Sequence, residues 1–164
     1  MKKLTFFGIG IMSVLLFMGL QSCGTSMDSD YEELDLMRHG LPIKVMAPAD
    51  VKIETSTSMG TQTVTIDGGA DFAIEISKGE FNSGSRDNLL NEQKEFVTSN
   101  RIFHQILLEE ADGFVYEFKI NEENSNFGFR RVYIQGDYEY IFRNGMAKIF
   151  TEEQALNMFN AVKQ

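Results

Sequence analysis

The stretch Phe127–Arg143, FGFRRVYIQGDYEYIFR, reads as two strands joined at Gly136-Asp137. A glycine in the first position of a two-residue loop suits a type II′ hairpin turn, which needs a positive φ there. With that loop, Tyr133 opposes Tyr140, Val132 opposes Ile141 and Arg130 opposes Arg143. Side chains alternate across a strand. One face therefore carries Phe129, Tyr133, Tyr138, Tyr140 and Phe142 with Arg131 beside them, and the other carries Val132, Ile134 and Ile141. A sheet that is apolar on both faces cannot leave both wet without exposing a large patch. Something must cover each face, and the chain holds two helical segments for the task.

The C-terminal segment is the better marked. Thr151-Glu152-Glu153-Gln154 has the form of a capping box, in which the Thr hydroxyl meets a free helix amide and the Gln side chain reaches back. Ala155, Met158, Phe159 and Val162 then recur at helical spacing. Glu152 and Glu153 near its start and Lys163 near its end suit the helix dipole. The earlier segment follows a Gly/Ser/Asn loop over residues 79–85, with Ser85 as its N-cap and Leu89, Leu90, Phe96 and Val97 as its apolar stripe. That loop lacks a phosphate-loop lysine and ordered glycine spacing, so its reading is a helix entry without a phosphate site.

Period-two patterns fill the remainder. Leu41, Ile43, Val45 and Ala47 alternate with Pro42, Lys44, Met46 and Pro48, as in an edge strand bounded by prolines. Val51 to Thr57, Thr61 to Ile66 and Phe72 to Ile76 continue as strands, the last two joined by the turn residues Asp67-Gly68-Gly69-Ala70-Asp71. That turn lacks the alternating ligands and terminal Glu of a calcium loop. Ile102, His104, Ile106 and Leu108 share one parity, and Phe114, Tyr116, Phe118 and Ile120 follow after Asp112-Gly113. Strands, helix, strands and helix in that order predict an α+β fold, a mainly antiparallel sheet with one helix on each face.

The element order, with Asp71-Phe72-Ala73-Ile74-Glu75-Ile76 and Gly136-Asp137-Tyr138-Glu139-Tyr140, resembles the PsbP-like fold over residues 41–162. Extrinsic photosystem subunits, a Ran-binding family and small bacterial envelope lipoproteins share that fold. The resemblance implies an architecture and no functional residue. Other α+β arrangements of the same elements stay open.

At the N-terminus, Lys2 and Lys3 precede an apolar run from Phe6 to Leu20, the form of a secretory signal. Leu20-Gln21-Ser22-Cys23 resembles the lipobox of bacterial lipoproteins. The resemblance implies a diacylglyceryl thioether on Cys23, cleavage after Ser22 and acylation of the new amine. The alternatives are an uncleaved anchor or an ordinary signal with an incidental cysteine. Cys23 is the only cysteine, so no intramolecular disulfide can form, and acylation accounts for a lone thiol in an exported chain. The expected organisation is a signal peptide over 1–22, an acidic tether over 23–40 and one α+β domain over 41–164. Acidic residues soon after the cysteine (Asp28, Asp30, Glu32, Glu33) loosely resemble surface-export signals of Gram-negative lipoproteins, which places the expected address at the outer membrane. A plain solubilising linker explains the same residues.

The chain has 15 basic and 24 acidic residues, a net charge of −9. Loss of Lys2 and Lys3 with the signal leaves 13 against 24, a net of −11. So negative a body argues against nucleic acid and against docking onto anionic head groups.

Residues that could carry chemistry are few. His39 and His104 are the only imidazoles, far apart, with no helical His pair and no second cysteine, so neither a metal nor a cofactor is expected. The nucleophile-elbow, zinc-protease and Walker motifs are absent. Two function classes remain. One is a non-enzymatic binding or assembly module, contacting an envelope partner through Tyr133, Tyr138, Tyr140 and Arg131, residue types that make binding hot spots. The same rings could instead be core beneath a helix. The other is an enzyme whose site is assembled from scattered residues around His104, such as Tyr116 and Glu117.

Overall fold

The computed structural model describes residues 31–164. The signal segment, Cys23 and the first part of the expected tether lie outside these described residues. Within them the chain is α+β with a mainly antiparallel sheet and two helices.

The strands β3 (Lys52–Ser58), β4 (Thr61–Asp67) and β5 (Ala73–Glu80) form a meander. Helix α1 (Arg86–Thr98) then carries the chain to the far edge. A second meander returns through β6 (Phe103–Glu110), β7 (Gly113–Lys119), β8 (Ser125–Gln135) and β9 (Tyr138–Asn144), and β9 pairs with β5. The seven strands lie in the order β3-β4-β5-β9-β8-β7-β6, with α2 (Glu152–Ala161) following β9. The β8–β9 register is the one the hairpin loop dictates: Tyr133 faces Tyr140, Val132 faces Ile141 and Arg130 faces Arg143. Gly136 takes φ +59°, the positive value that its turn position requires.

Both helices start where their caps predict. The Ser85 hydroxyl accepts from the Asn88 amide, and Thr151 and Gln154 form the reciprocal capping box. Ala155, Met158, Phe159 and Val162 are buried, in one cluster with Val115 of β7, Phe129 of β8 and Tyr140 and Phe142 of β9. Leu89, Leu90 and Val97 of α1 form a second cluster with Phe114, Tyr116 and Val132. Phe96 departs from expectation: it is 68% exposed, because the buried stripe centres between Leu89 and Leu90 and leaves residue 96 on its edge.

Two other expectations change. Residues 31–40, read as tether, are part of the packed unit. Tyr31–Asp35 forms β1, antiparallel to β2 (Lys44–Pro48), and Leu36 and Leu41 are fully buried. The Tyr31 ring meets the Phe72 ring edge-on, with centroids 5.4 Å apart. These contacts are long-range, so local acidity gave no sign of them. In β6 the single parity of Ile102 to Leu108 is interrupted by register shifts between Phe103 and Gln105 and between Ile106 and Leu108. A bulge reverses which side chains face inward, and Ile106 joins the α1 cluster while Leu107 and Leu108 pack on the other.

Candidate functional site

The hairpin residues expected to form a recognition face do not share a surface. Tyr140 and Arg131 are buried, Tyr133 is half-buried, and Tyr138 alone is open at 43% exposure. This corrects the expectation of a contact face through Tyr133, Tyr138, Tyr140 and Arg131. The physical reason is the α2 stripe, which belongs to the same buried cluster as Tyr140 and Phe142. Burial pushes the Tyr140 phenol above its ordinary pKa, with Tyr138 and Tyr133 adding to the shift. Tyr138 has the Lys78 ammonium 4.2 Å above its ring and edges a shallow hollow with Glu80 and Asp137.

Arg131, 1% exposed, serves the fold. Its Nη1 donates to both Asp112 oxygens at 2.6 Å and its Nη2 to Glu110 at 3.0 Å. The guanidinium carbon lies 3.9 Å from the centre of the Phe159 ring, a stacked cation–π contact. The sequence could not separate Arg131 from Arg130, since the carboxylates that hold Arg131 lie about twenty positions away.

The histidine-centred alternative also fails to converge. His104 is exposed. Glu117 accepts from Ser125 Oγ at 2.6 Å and from Gln105 Nε2 at 2.8 Å. Those hydrogen bonds, with the nearby His104, hold its carboxyl below the ordinary glutamate range, away from what a general base needs near neutrality. Tyr116 is the next residue on β7, points to the opposite face and is buried against α1. Among the described residues no cluster of three or more His, Cys, Asp or Glu could hold a metal ion.

A different site emerges around Arg130, which sequence reasoning placed only at the hairpin rim. A cleft of about 320 Å³ opens between the end of α1, strands β7 to β9 and the loop after β9. Phe96 and Met146, 68% and 69% exposed, line it, with Tyr116, Arg130, Arg143 and Lys148. Gly128 lets the Tyr116 phenol and the Asn144 side chain close in over the strand. A side chain there would have its Cβ 2.6 Å from the Tyr116 phenol and from Asn144 Oδ1. Ala147, on the rim, holds φ +64°, a left-handed conformation that costs a non-glycine residue about 1 kcal/mol and is common at functional sites.

The charges in the cleft do not balance. Arg143 is tied to Glu75 by Nη2 at 2.7 Å and Nε at 3.1 Å, and Glu75 also accepts from the Met146 amide. Lys148 is tied to Asp67 at 2.6 Å and to the Gly69 carbonyl. Arg130, only 7% exposed, has no carboxylate within ion-pair distance among the described residues. Its Nη1 donates to the Phe129 carbonyl at 2.9 Å and to the Tyr116 hydroxyl at 3.3 Å, and its guanidinium carbon lies 5.7 Å from the Tyr116 ring centre. Burial lowers its pKa, with repulsion from Arg143 adding to the shift and the Tyr116 phenol and the Glu75 carboxylate, which Arg143 engages directly, opposing it. A lone buried charge is costly unless something pairs with it. No helix among the described residues is long and apolar enough to cross a membrane. The chain matches no protein-family model and no curated protein.

Proposed function

We propose that this chain is a non-enzymatic binding module of the cell envelope, held by lipid on Cys23 at the outer membrane, which recognises its target through the Arg130 cleft. The observation that carries the reading is Arg130 itself: a buried guanidinium with no carboxylate in direct ion-pair contact among the described residues, facing an open cleft rimmed by exposed apolar side chains. A concave site lined by rings and a few polar groups is the usual form of a binding pocket, and 320 Å³ lies at the small end of that range.

The scaffold is a PsbP-like layer arrangement, with α1 on one face of the sheet and α2 on the other. Support comes from neighbouring residues on β7: Phe114 shares a cluster with α1, and Val115 shares one with α2. Successive strand residues point to opposite faces. The anchor reading rests on the lipobox resemblance at Leu20–Cys23.

The test is a methyl NMR titration of methionine-labelled protein with a small-molecule extract of the native envelope. Saturable shifts of the Met146 methyl are expected, while Met158 in the core stays still. A Met146 signal indifferent to every fraction, or extract components consumed on incubation, would sink the reading.

A further inference from the structure

Taking the cleft as the binding site, we infer that its ligand is a small monoanion with an apolar body, a free alkyl or aryl carboxylate whose head group pairs with Arg130. The charge count sets the valence. Three cations line the site, and Glu75 and Asp67 satisfy two of them at 2.7 Å and 2.6 Å. One positive charge is left, so one negative charge neutralises the site, and a phosphate dianion would bring an excess charge into a partly desolvated space.

The donor geometry sets the head group. Arg130 spends Nη1 on Phe129 and Tyr116, while Nε and Nη2 have no acceptor among the described residues. Neither atom is sealed from solvent, since the one buried side-chain nitrogen without a partner is Arg131 Nε. Two parallel N–H donors on one planar edge match the two oxygens of a carboxylate. A lysine in the same place would offer a point charge without that fork.

The rim sets the body. Phe96 and Met146 are large apolar side chains that line the cleft and are left in water. A ligand with a short chain or a ring would cover them, and a polarizable thioether adapts to either. The cleft volume suits a molecule of this size better than a folded partner.

Octanoate, octanamide and inorganic phosphate distinguish these features when titrated into the detergent-solubilised full-length protein and followed by the Met146 methyl and the Arg130 Nε–H resonance. Octanoate is expected to shift both saturably, octanamide to bind at least tenfold more weakly, and phosphate neither to shift them nor to compete. Arg130→Met should weaken octanoate at least tenfold. Phe96→Ser, a change at an exposed position that leaves the core alone, should weaken it several-fold. Equal binding of octanamide would overturn the carboxylate assignment while leaving the cleft as a site, and so would phosphate competing with octanoate. Octanoate that leaves Met146 and Arg130 unmoved would also overturn it; the cleft reading itself then stands or falls on the envelope extract.

Discussion

Phe159→Ala is expected to lower the free energy of unfolding by about 3–5 kcal/mol, the range for truncating a buried aromatic ring. Phe159 is fully buried in α2, stacked edge-on to Phe129 with centroids 6.2 Å apart. It also forms the floor on which the Arg131 guanidinium rests at 3.9 Å. Removing the ring leaves a cavity and strips a buried cation of part of its surroundings, which places the loss toward the upper end. The strand beneath is equally tight. A Cβ on Gly113 would lie 2.5 Å from the Arg130 carbonyl oxygen and 2.7 Å from Phe159 Cε2. The ring thus seats against bare backbone, and no larger neighbour can swing in to fill its place. A domain of this size has about 5–15 kcal/mol of stability in all, so chemical denaturation should show a large fall in midpoint. A loss below about 1 kcal/mol would mean that α2 is not a main support of the sheet.

Cys23→Ala should move the protein from the membrane fraction to the soluble fraction nearly completely. Each buried methylene contributes about 0.8 kcal/mol, and stable anchoring needs at least two acyl chains, all of which would hang on this one residue. No helix among the described residues is long and apolar enough to cross a membrane, and a chain of net charge −9 is not drawn to anionic head groups. Tyr31 begins the first strand eight residues after Cys23, so the thioether would keep the domain within about 30 Å of the lipid surface. Fractionation in the native host is the check, and unchanged sedimentation of the variant would remove the anchor.

The parts of the fold that were legible share a local cause. The hairpin register followed from two residues, Gly136 and Asp137, because a two-residue loop leaves no freedom in pairing. The C-terminal helix followed from a four-residue capping box and one stripe. What the sequence hid depends on distant partners. Tyr31–Asp35 looks like linker until β2 pairs with it. Arg130 and Arg131 are adjacent and alike in sequence, yet one faces Asp112 and Glu110 and the other faces an open cleft. Alternation told that the two side chains point to opposite faces; it could not tell which face holds the carboxylates. Phe96 was readable only as one more apolar residue of a helical stripe, since its exposure depends on where α1 rests on the sheet. Gly128, which makes room for Tyr116, carried no signal beyond being a glycine within a strand.

On the proposed reading, a ligand is the reason to keep at position 130 a buried guanidinium that lacks a direct counter-ion among the described residues. A guanidinium retained for a ligand should be dispensable to the unliganded protein, because desolvating a cation without a counter-charge opposes folding. A guanidinium retained for structure should not be. Equilibrium urea unfolding of Arg130→Met beside the parent chain, with no ligand present, separates the two. The binding account predicts a midpoint equal to or above that of the parent, with a gain of up to about 1 kcal/mol as an apolar chain of similar length replaces the buried charge. A loss of about 2 kcal/mol or more would show that the bonds to Phe129 and Tyr116 hold the sheet together, and would contradict it.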